Sequence, residues 1–354
     1  MTQTETPVLE LQSIARTFAR REGGLDRALH RMGLGKGPER LVAVDDVSLA
    51  LMPGKMLGIV GESGCGKSTL GRIAAQLLPP SGGQVLFRGQ PINSMPARQA
   101  SAARRNIQMV FQNPYASLNP AMTVGQAIME APLAHGLTPR AKAAEKLAAI
   151  LSQVGLAPEM AARRPHELSG GQRQRVGIAR AMAVEPEVII FDEAVAALDV
   201  SVQAQILNLL TDLKSQGGFA SIFISHDLNV VRFISDRIAI LYLGRLVELA
   251  DRDTIFARPH HPYTRALLSE VPVLGAAKRR FSTVKGELPS PLNPPPGCHF
   301  HPRCPFAQDV CRRQRPELRT VGPDHVSACH FDLPTTPEVG INPAVPSTHQ
   351  GVST

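Results

Sequence analysis

The sequence predicts an α/β fold, and three stretches predict it. Met56-Leu57-Gly58-Ile59-Val60 is an apolar, strand-like run; it leads into Gly61-Glu62-Ser63-Gly64-Cys65-Gly66-Lys67-Ser68-Thr69, and Thr69 to Leu78 continues with apolar residues at helical spacing. Val188-Ile189-Ile190-Phe191 reads as a buried strand ending in two adjacent carboxylates, Asp192 and Glu193. Ala220-Ser221-Ile222-Phe223-Ile224 reads as another and delivers Ser225-His226-Asp227 at its tip. Unbroken apolar strands of this kind belong to a parallel sheet, and ligands sit at the edge where such strands end.

The glycine-rich stretch carries the most specific chemistry. Its glycines let backbone N–H groups turn inward around a polyphosphate, and the following helix points its positive end at the same charge. Lys67 reaches the outer phosphates and the Ser68 hydroxyl ligates magnesium. A turn that merely closed a strand would not need Lys67-Ser68 at the mouth of the helix.

Length and composition bound the rest. The 354 residues hold one large or two ordinary domains, and 43% hydrophobic content supports a sizeable core. No apolar run approaches the roughly eighteen residues that span a bilayer, and Met1-Thr2-Gln3-Thr4-Glu5 lacks the features of a signal peptide, so the expected location is the cytoplasm. The net charge of +8 admits nucleic acid or an anionic membrane surface as a partner, but its distribution favours solvated loops. Basic residues load both ends, from Arg16 to Arg40 and again at Lys278-Arg279-Arg280 and Arg312-Arg313.

In chain order, residues 8–15 and 41–52 read as strands, separated by a glycine- and arginine-rich insertion from Arg20 to Arg40. Gln84 to Phe87 begins a further strand, and Ile107 to Phe111 is a buried one ending at Gln112. From Thr123 to Pro165 the sequence is helical, with a helix predicted to open at Thr138-Pro139 and to bury Leu147, Ile150, Leu151 and Val154 on one face. A helix also starts at Leu168-Ser169-Gly170-Gly171-Gln172. There the Ser-x-x-Gln spacing fits a capping box, and it fits equally a second anion site built from N–H groups at a helix N-terminus. Asp192 suits magnesium and Glu193 suits a base that polarises water, since paired carboxylates at a buried strand end are costly without a cation or a reacting proton nearby. Ala196-Ala197-Leu198-Asp199 precedes a long helix from Ser201 to about Gln216.

Taken in order, these stretches resemble the ATP-binding subunit of ABC transporters over residues 8 to 250. Gly61 to Thr69 is similar to its Walker A, Gln112 to its Q-loop, Leu168 to Gln172 to its signature, Val188 to Glu193 to its Walker B and His226 to its switch histidine. The resemblance implies a P-loop ATPase core with an antiparallel β subdomain, an inserted helical subdomain at about 114–168 and a small irregular C-terminal extension. It further implies Glu193, His226, Lys67 and Gln112 as catalytic residues, magnesium on Ser68, Gln112 and Asp192, and an adenine stacked on an aromatic residue, best matched by Phe18. Ser169, Gly170, Gly171 and Gln172 would serve the nucleotide of a second, opposed subunit, with Asp199 in the D-loop between them. Ala194 and Ala196 replace the family's proline and serine or threonine, so contacts between subunits should differ in detail.

The tail carries a narrower resemblance, to the C-terminal extension of oligopeptide and dipeptide importers and to their second, "F-type" ATPase. His261-Pro262-Tyr263-Thr264-Arg265-Ala266-Leu267-Leu268, Gly286 to Pro291 and Pro302-Arg303-Cys304-Pro305 carry it. The implied division is an ATPase domain at 1–258, the extension at 259–334 and a flexible tail at 335–354. The implied partners are a second ATPase subunit, identical or paralogous, two transmembrane permeases and, indirectly, an external binding protein, at the cytoplasmic face of the inner membrane. An ABC ATPase acting on nucleic acid or ribosomes is the alternative; such proteins usually carry two cassettes or a long coiled coil, and this chain has one Walker A and no heptad stretch. Cys298, Cys304, Cys311 and Cys329, spaced C-x5-C-x6-C-x17-C, lack the C-x2-C pairs of most zinc sites. Four thiolates fit the ligand count of a [4Fe–4S] centre, which the resemblance also implies, while His299, His301, His325 and His330 lie near enough in sequence to replace a ligand. Four reduced, partly packed cysteines remain the other reading.

Overall fold

The computed structural model of the chain describes residues 6–19, 40–113, 118–270, 287 and 289–332. The insertion at 20–39, the basic run at 278–280 and the tail from 335 onward lie outside the described residues.

Strand β1 (Leu9–Ala19) pairs antiparallel with β2 (Arg40–Leu51). Then come β3 (Met56–Val60) and helix α1 (Lys67–Ala74), after which β4 (Gly82–Phe87) returns to the free edge of β1, with the short β5 (Gln90–Pro91) beyond it. The result is a four-stranded antiparallel sheet in the order β2-β1-β4-β5. Its alternating inward residues, among them Leu9, Leu11, Val47 and Leu49, share one hydrophobic core with Ile59, Ile190 and Ile222 of the main sheet.

The chain continues through α2 (Ala97–Arg105), β6 (Ile107–Val110), α3 (Val124–Ala134), α4 (Ala143–Gln153), α5 (Gly170–Met182), β7 (Val188–Asp192), α6 (Val200–Ser215) and β8 (Ala220–Ser225). After these come α7 (Leu228–Ile234), β9 (Arg237–Tyr242), β10 (Arg245–Asp251), α8 (Arg252–Ala257), α9 (Pro262–Ser269), α10 (Asp309–Arg313), β11 (Arg319–Gly322) and β12 (His325–Ser327). The main sheet has eight strands in the order β11-β12-β10-β9-β3-β8-β7-β6. Strands β9, β3, β8, β7 and β6 run parallel, and β10, β12 and β11 extend the edge antiparallel.

The parallel strands are apolar at nearly every position because both of their faces are covered. Alternation sends Val188, Ile190, Ile222 and Ile224 into the core under the antiparallel sheet, and Ile189, Phe191 and Phe223 into a second core on the other side. That second core also takes Ile128 of α3, Leu151 of α4 and Val176 of α5, which is how the helical insertion is anchored. Since β3, β6, β7 and β8 run the same way, the loops that follow them open at one sheet edge.

Two helix boundaries differ from the sequence reading. Helix α1 ends at Ala74, short of Leu78, because Gln76 takes a left-handed conformation at φ 59 and the N–H groups of Leu77 and Leu78 fold back onto the Arg72 carbonyl. Thr138-Pro139 opens a 3₁₀ turn at Arg140–Lys142, with the Lys142 N–H on the Pro139 carbonyl at 2.9 Å, and the α-helix itself starts at Ala143. Thr138 is buried and does not cap.

Candidate nucleotide site

Gly66 is the N-cap of α1 at φ 103, and a Cβ there would stand 2.1 Å from the Ala43 carbonyl oxygen. Only glycine fits a loop pressed this closely against β2 in that conformation. Lys67, 4% exposed, folds back over the loop, and its ammonium donates to the carbonyls of Gly61 at 2.7 Å and Glu62 at 3.0 Å. The cation is thereby held at the mouth of the helix where the loop's N–H groups converge.

The Ser68 hydroxyl donates to Asp192 Oδ1 at 2.7 Å. Asp192 ends β7 and is buried; burial pushes its carboxyl above the ordinary range, while the Ser68 hydrogen bond and the nearby Arg72 charge act against that rise. A buried carboxylate with one hydroxyl partner is the donor set a hard cation takes.

Glu193 is the next residue, and its backbone turns sharply to φ 48, with its N–H on the Ile224 carbonyl at 3.0 Å. That left-handed conformation is unfavourable for a glutamate and swings its side chain out of the strand direction. The carboxylate accepts a hydrogen bond from Gln112 Nε2 at 2.8 Å through one oxygen, and its other oxygen lies 3.6 Å from His226 Nδ1. Three residues from the ends of β6, β7 and β8 meet at one carboxylate. The Gln112 amide is thus engaged by Glu193 and not by the Ser68–Asp192 pair.

At the start of α5 the Ser169 hydroxyl accepts the Gln172 N–H at 3.2 Å and the Gln172 side chain accepts the Ser169 N–H at 2.9 Å. The capping box is therefore made, and it leaves Ser169 and Gly170 exposed at the helix N-terminus. Gly171 is buried against Val202 of α6, so the signature stretch is packed onto the helix that Asp199 begins. Asp199 is exposed, beside Val200 at 82% exposure. Phe18 sits at the far end of β1 opposite Leu41, half-buried, with the Arg16 guanidinium 4.8 Å from its ring centre.

The phosphate loop has contacts that no local pattern foretold. The Glu62 N–H donates to the Tyr263 hydroxyl at 2.9 Å, and Arg303 Nη1 donates to both carboxylate oxygens of Glu62 at 2.9 and 3.0 Å. Partners 201 and 241 residues away leave no trace in sequence spacing.

Cys298, Cys304, Cys311 and Cys329 border one cavity of about 20 Å³, together with His301 and Phe306. All four are free thiols. Burial pushes Cys298 and Cys304 up to about 11 and raises Cys329 as well. Among the described residues no three His, Cys, Asp or Glu side chains form a group that could hold a metal ion. The expected iron–sulfur cluster is thus not supported: the four cysteines converge on one cavity, Cys311 buried and the others half-buried, without forming a metal donor set.

The comparisons bear on this geometry. Residues 44–196 match the family described as ABC transporter, and residues 247–311 match the oligopeptide/dipeptide transporter C-terminal region. The oligopeptide transport ATP-binding protein AppF of Bacillus subtilis (strain 168) is 49% identical over 328 residues, covering 92% of this chain and 97% of that protein. The chain belongs to the ATP-binding proteins of ABC transporters. A probable peptide ABC transporter ATP-binding protein of Sinorhizobium fredii, y4tS, is 51% identical to this ABC ATPase over 314 residues, 87% of this chain and 89% of its own. Among solved structures, the dimeric ATP-binding cassette MJ0796 bound to ADP and Pi aligns at a TM-score of 0.57 and 29% identity, over 69% of this chain and 98% of that one. CbiO1 of Clostridium perfringens aligns at 0.59 and 25%, over 71% and 91%. As an ABC ATPase the chain binds ATP with magnesium and hydrolyses it in the service of transport. Among the described residues no helix is long and apolar enough to cross a membrane.

Proposed function

We propose that this ABC ATPase powers the uptake of di- or oligopeptides, working at the cytoplasmic face of a membrane with two permease subunits and a second ATPase subunit. The observation that carries the reading is the match of residues 247–311 to the C-terminal region of oligopeptide/dipeptide transporters, a segment outside the general cassette. In this reading residues 1–258 form the ATPase domain and 259–334 an extension particular to peptide importers.

The residues take the following roles. ATP lies in the cradle of Gly61 to Thr69, with Lys67 on its outer phosphates and its adenine against Phe18. Ser68 and Asp192, whose oxygens meet at 2.7 Å, would hold magnesium, with the Gln112 side chain, now on Glu193, as a further ligand. Glu193 orients the attacking water and takes its proton, while His226, on the other carboxylate oxygen, keeps that side chain aimed. Lys67 meets the charge of the transition state, to which bound magnesium would add its own, since phosphoryl transfer depends on positioning and electrostatics. Ser169, Gly170, Gly171 and Gln172 of one subunit close on the nucleotide of the other, and Asp199 lies between the two. Gln112 leads into the loop before the helical insertion, which makes it the link from the γ-phosphate to the permease-facing helices.

The four cysteines fit a [4Fe–4S] cluster by number, thiol chemistry and convergence on one cavity, though their present placement is not a donor set. A bound cluster supplies folding free energy to a segment with little apolar periodicity. Anaerobic purification should yield iron and sulfide at about four of each per chain; stoichiometric zinc, or no metal at all, would reject it.

The functional reading is tested in proteoliposomes holding the permeases and both ATPases. Labelled di- and oligopeptides should accumulate in an ATP-dependent manner when the matching binding protein is added. Accumulation of a different solute class, with none of peptides, would overturn it.

A further inference from the structure

Glu62 is a liability in its position. It is the second residue of a loop whose ligand carries several negative charges, and its own carboxylate adds another to the same neighbourhood. Every polar group of Glu62 is nevertheless tied down: its N–H to Tyr263, its carbonyl to Lys67 and its carboxylate to Arg303.

Arg303 is built in place. Its side chain is 8% exposed, and its Nη1 also donates to the Tyr242 hydroxyl at 3.3 Å. The guanidinium lies 5.8 Å from the Tyr242 ring centre. The rings of Tyr242 and Tyr263 pack in a tilted arrangement at 4.6 Å, and Phe300 packs on them at 5.3 and 5.4 Å, all three fully buried. An arginine held against one ring of a buried aromatic cluster and paired to one carboxylate is positioned as a cation at a fixed place. Withdrawn from water, such a charge is screened weakly.

We propose that Arg303, carried by the cysteine-bearing extension, is a positioning residue for ATP binding that neutralises Glu62 and so lets the phosphate loop accept a triphosphate. It touches neither nucleotide nor metal and acts through Glu62. The C-terminal extension thereby contributes to the nucleotide site of its own subunit. The proposal rests on ATP binding at the loop, not on the peptide reading, and its test involves no transported solute.

A clamp that only fastened the extension to the core would use the same contacts, so the test must separate charge from attachment. The full-length subunit is titrated with a fluorescent ATP analogue in the presence of magnesium, and steady-state ATPase kinetics are recorded alongside. Arg303→Ala should weaken binding about tenfold or more and raise KM, with kcat at saturation largely retained. Adding Glu62→Gln to Arg303→Ala should restore most of the lost affinity, because the amide removes the unopposed charge without restoring the clamp. Arg303→Lys, which keeps the cation, should stay within a few fold of wild type and serves as the decisive variant if Arg303→Ala does not fold. Unchanged affinity in Arg303→Ala, affinity equally poor in the double variant, or affinity as weak in Arg303→Lys as in a folded Arg303→Ala would each overturn the proposal.

Discussion

Glu193 concentrates the chemistry at the residue scale, and its left-handed φ of 48 is the feature that lets it face Gln112 and His226 together. Glu193→Gln should bind ATP normally and lose about 10²–10⁴-fold in turnover, since only the proton-accepting oxygen is gone. Single-turnover hydrolysis beside a nucleotide titration separates the two effects, and near wild-type turnover would remove Glu193 from its role. Lys67→Ala should instead weaken binding itself, because its ammonium lies on the loop and not on the water. At this scale the sequence was legible wherever spacing carries the chemistry, as in Gly61 to Ser68. It was silent on the turn at Glu193 and on Arg303, because a backbone conformation and a partner 241 residues away are set by tertiary packing.

Among the elements, the parallel strands were readable as apolar runs because burial on both faces leaves no polar alternation to disguise them. Strands β11 and β12 were not, since Arg319-Thr320-Val321-Gly322 and His325-Val326-Ser327 are short and charged at their ends. What secures them is Glu248 of β10, fully buried, which accepts the N–H groups of His260 at 2.7 Å and His261 at 2.9 Å and binds His325 Nε2 at 2.7 Å. Burial alone would raise its pKa, but the hydrogen bonds from His325 and the two backbone amides hold it below the ordinary value of 4.5. A depressed carboxylate stabilises the fold at pH above that ordinary value, and the contribution is lost as acid protonates the folded group below it. Urea melts should therefore show an acid limb below pH 4.5 that Glu248→Gln flattens; an unchanged limb would contradict this. Glu248→Ala should cost about 3 kcal/mol at neutral pH by stranding buried donors. Ser169→Ala, which removes the cap of α5, should cost about 1 kcal/mol of stability. Its loss of ATPase activity should far exceed that, measured by melting and hydrolysis on the same preparation.

For the molecule as a whole, the proposed function places the signature at Ser169 and the phosphate loop in the sites of different subunits. Hydrolysis by the isolated chain should then rise more steeply than linearly with its concentration, or depend on adding the paralogous ATPase. A rate per chain that stays constant down to a verified monomer would exclude a shared site. The order of the strands was not legible in the sequence. Hydrophobic pattern says that a strand is buried, and only packing says that β3 lies between β8 and β9.

The pairing of Arg303 with Glu62 also has a meaning in time. Ribosomes add about 5–20 residues per second, so the 241 residues between the two take on the order of 10–50 s to make. Throughout that interval a growing chain carries its phosphate loop with the glutamate charge unopposed. On the proposal above, nucleotide affinity should stay about tenfold low until Arg303 has been made and docked, and a message cut short upstream of it should yield a cassette that binds ATP correspondingly more weakly than the finished subunit.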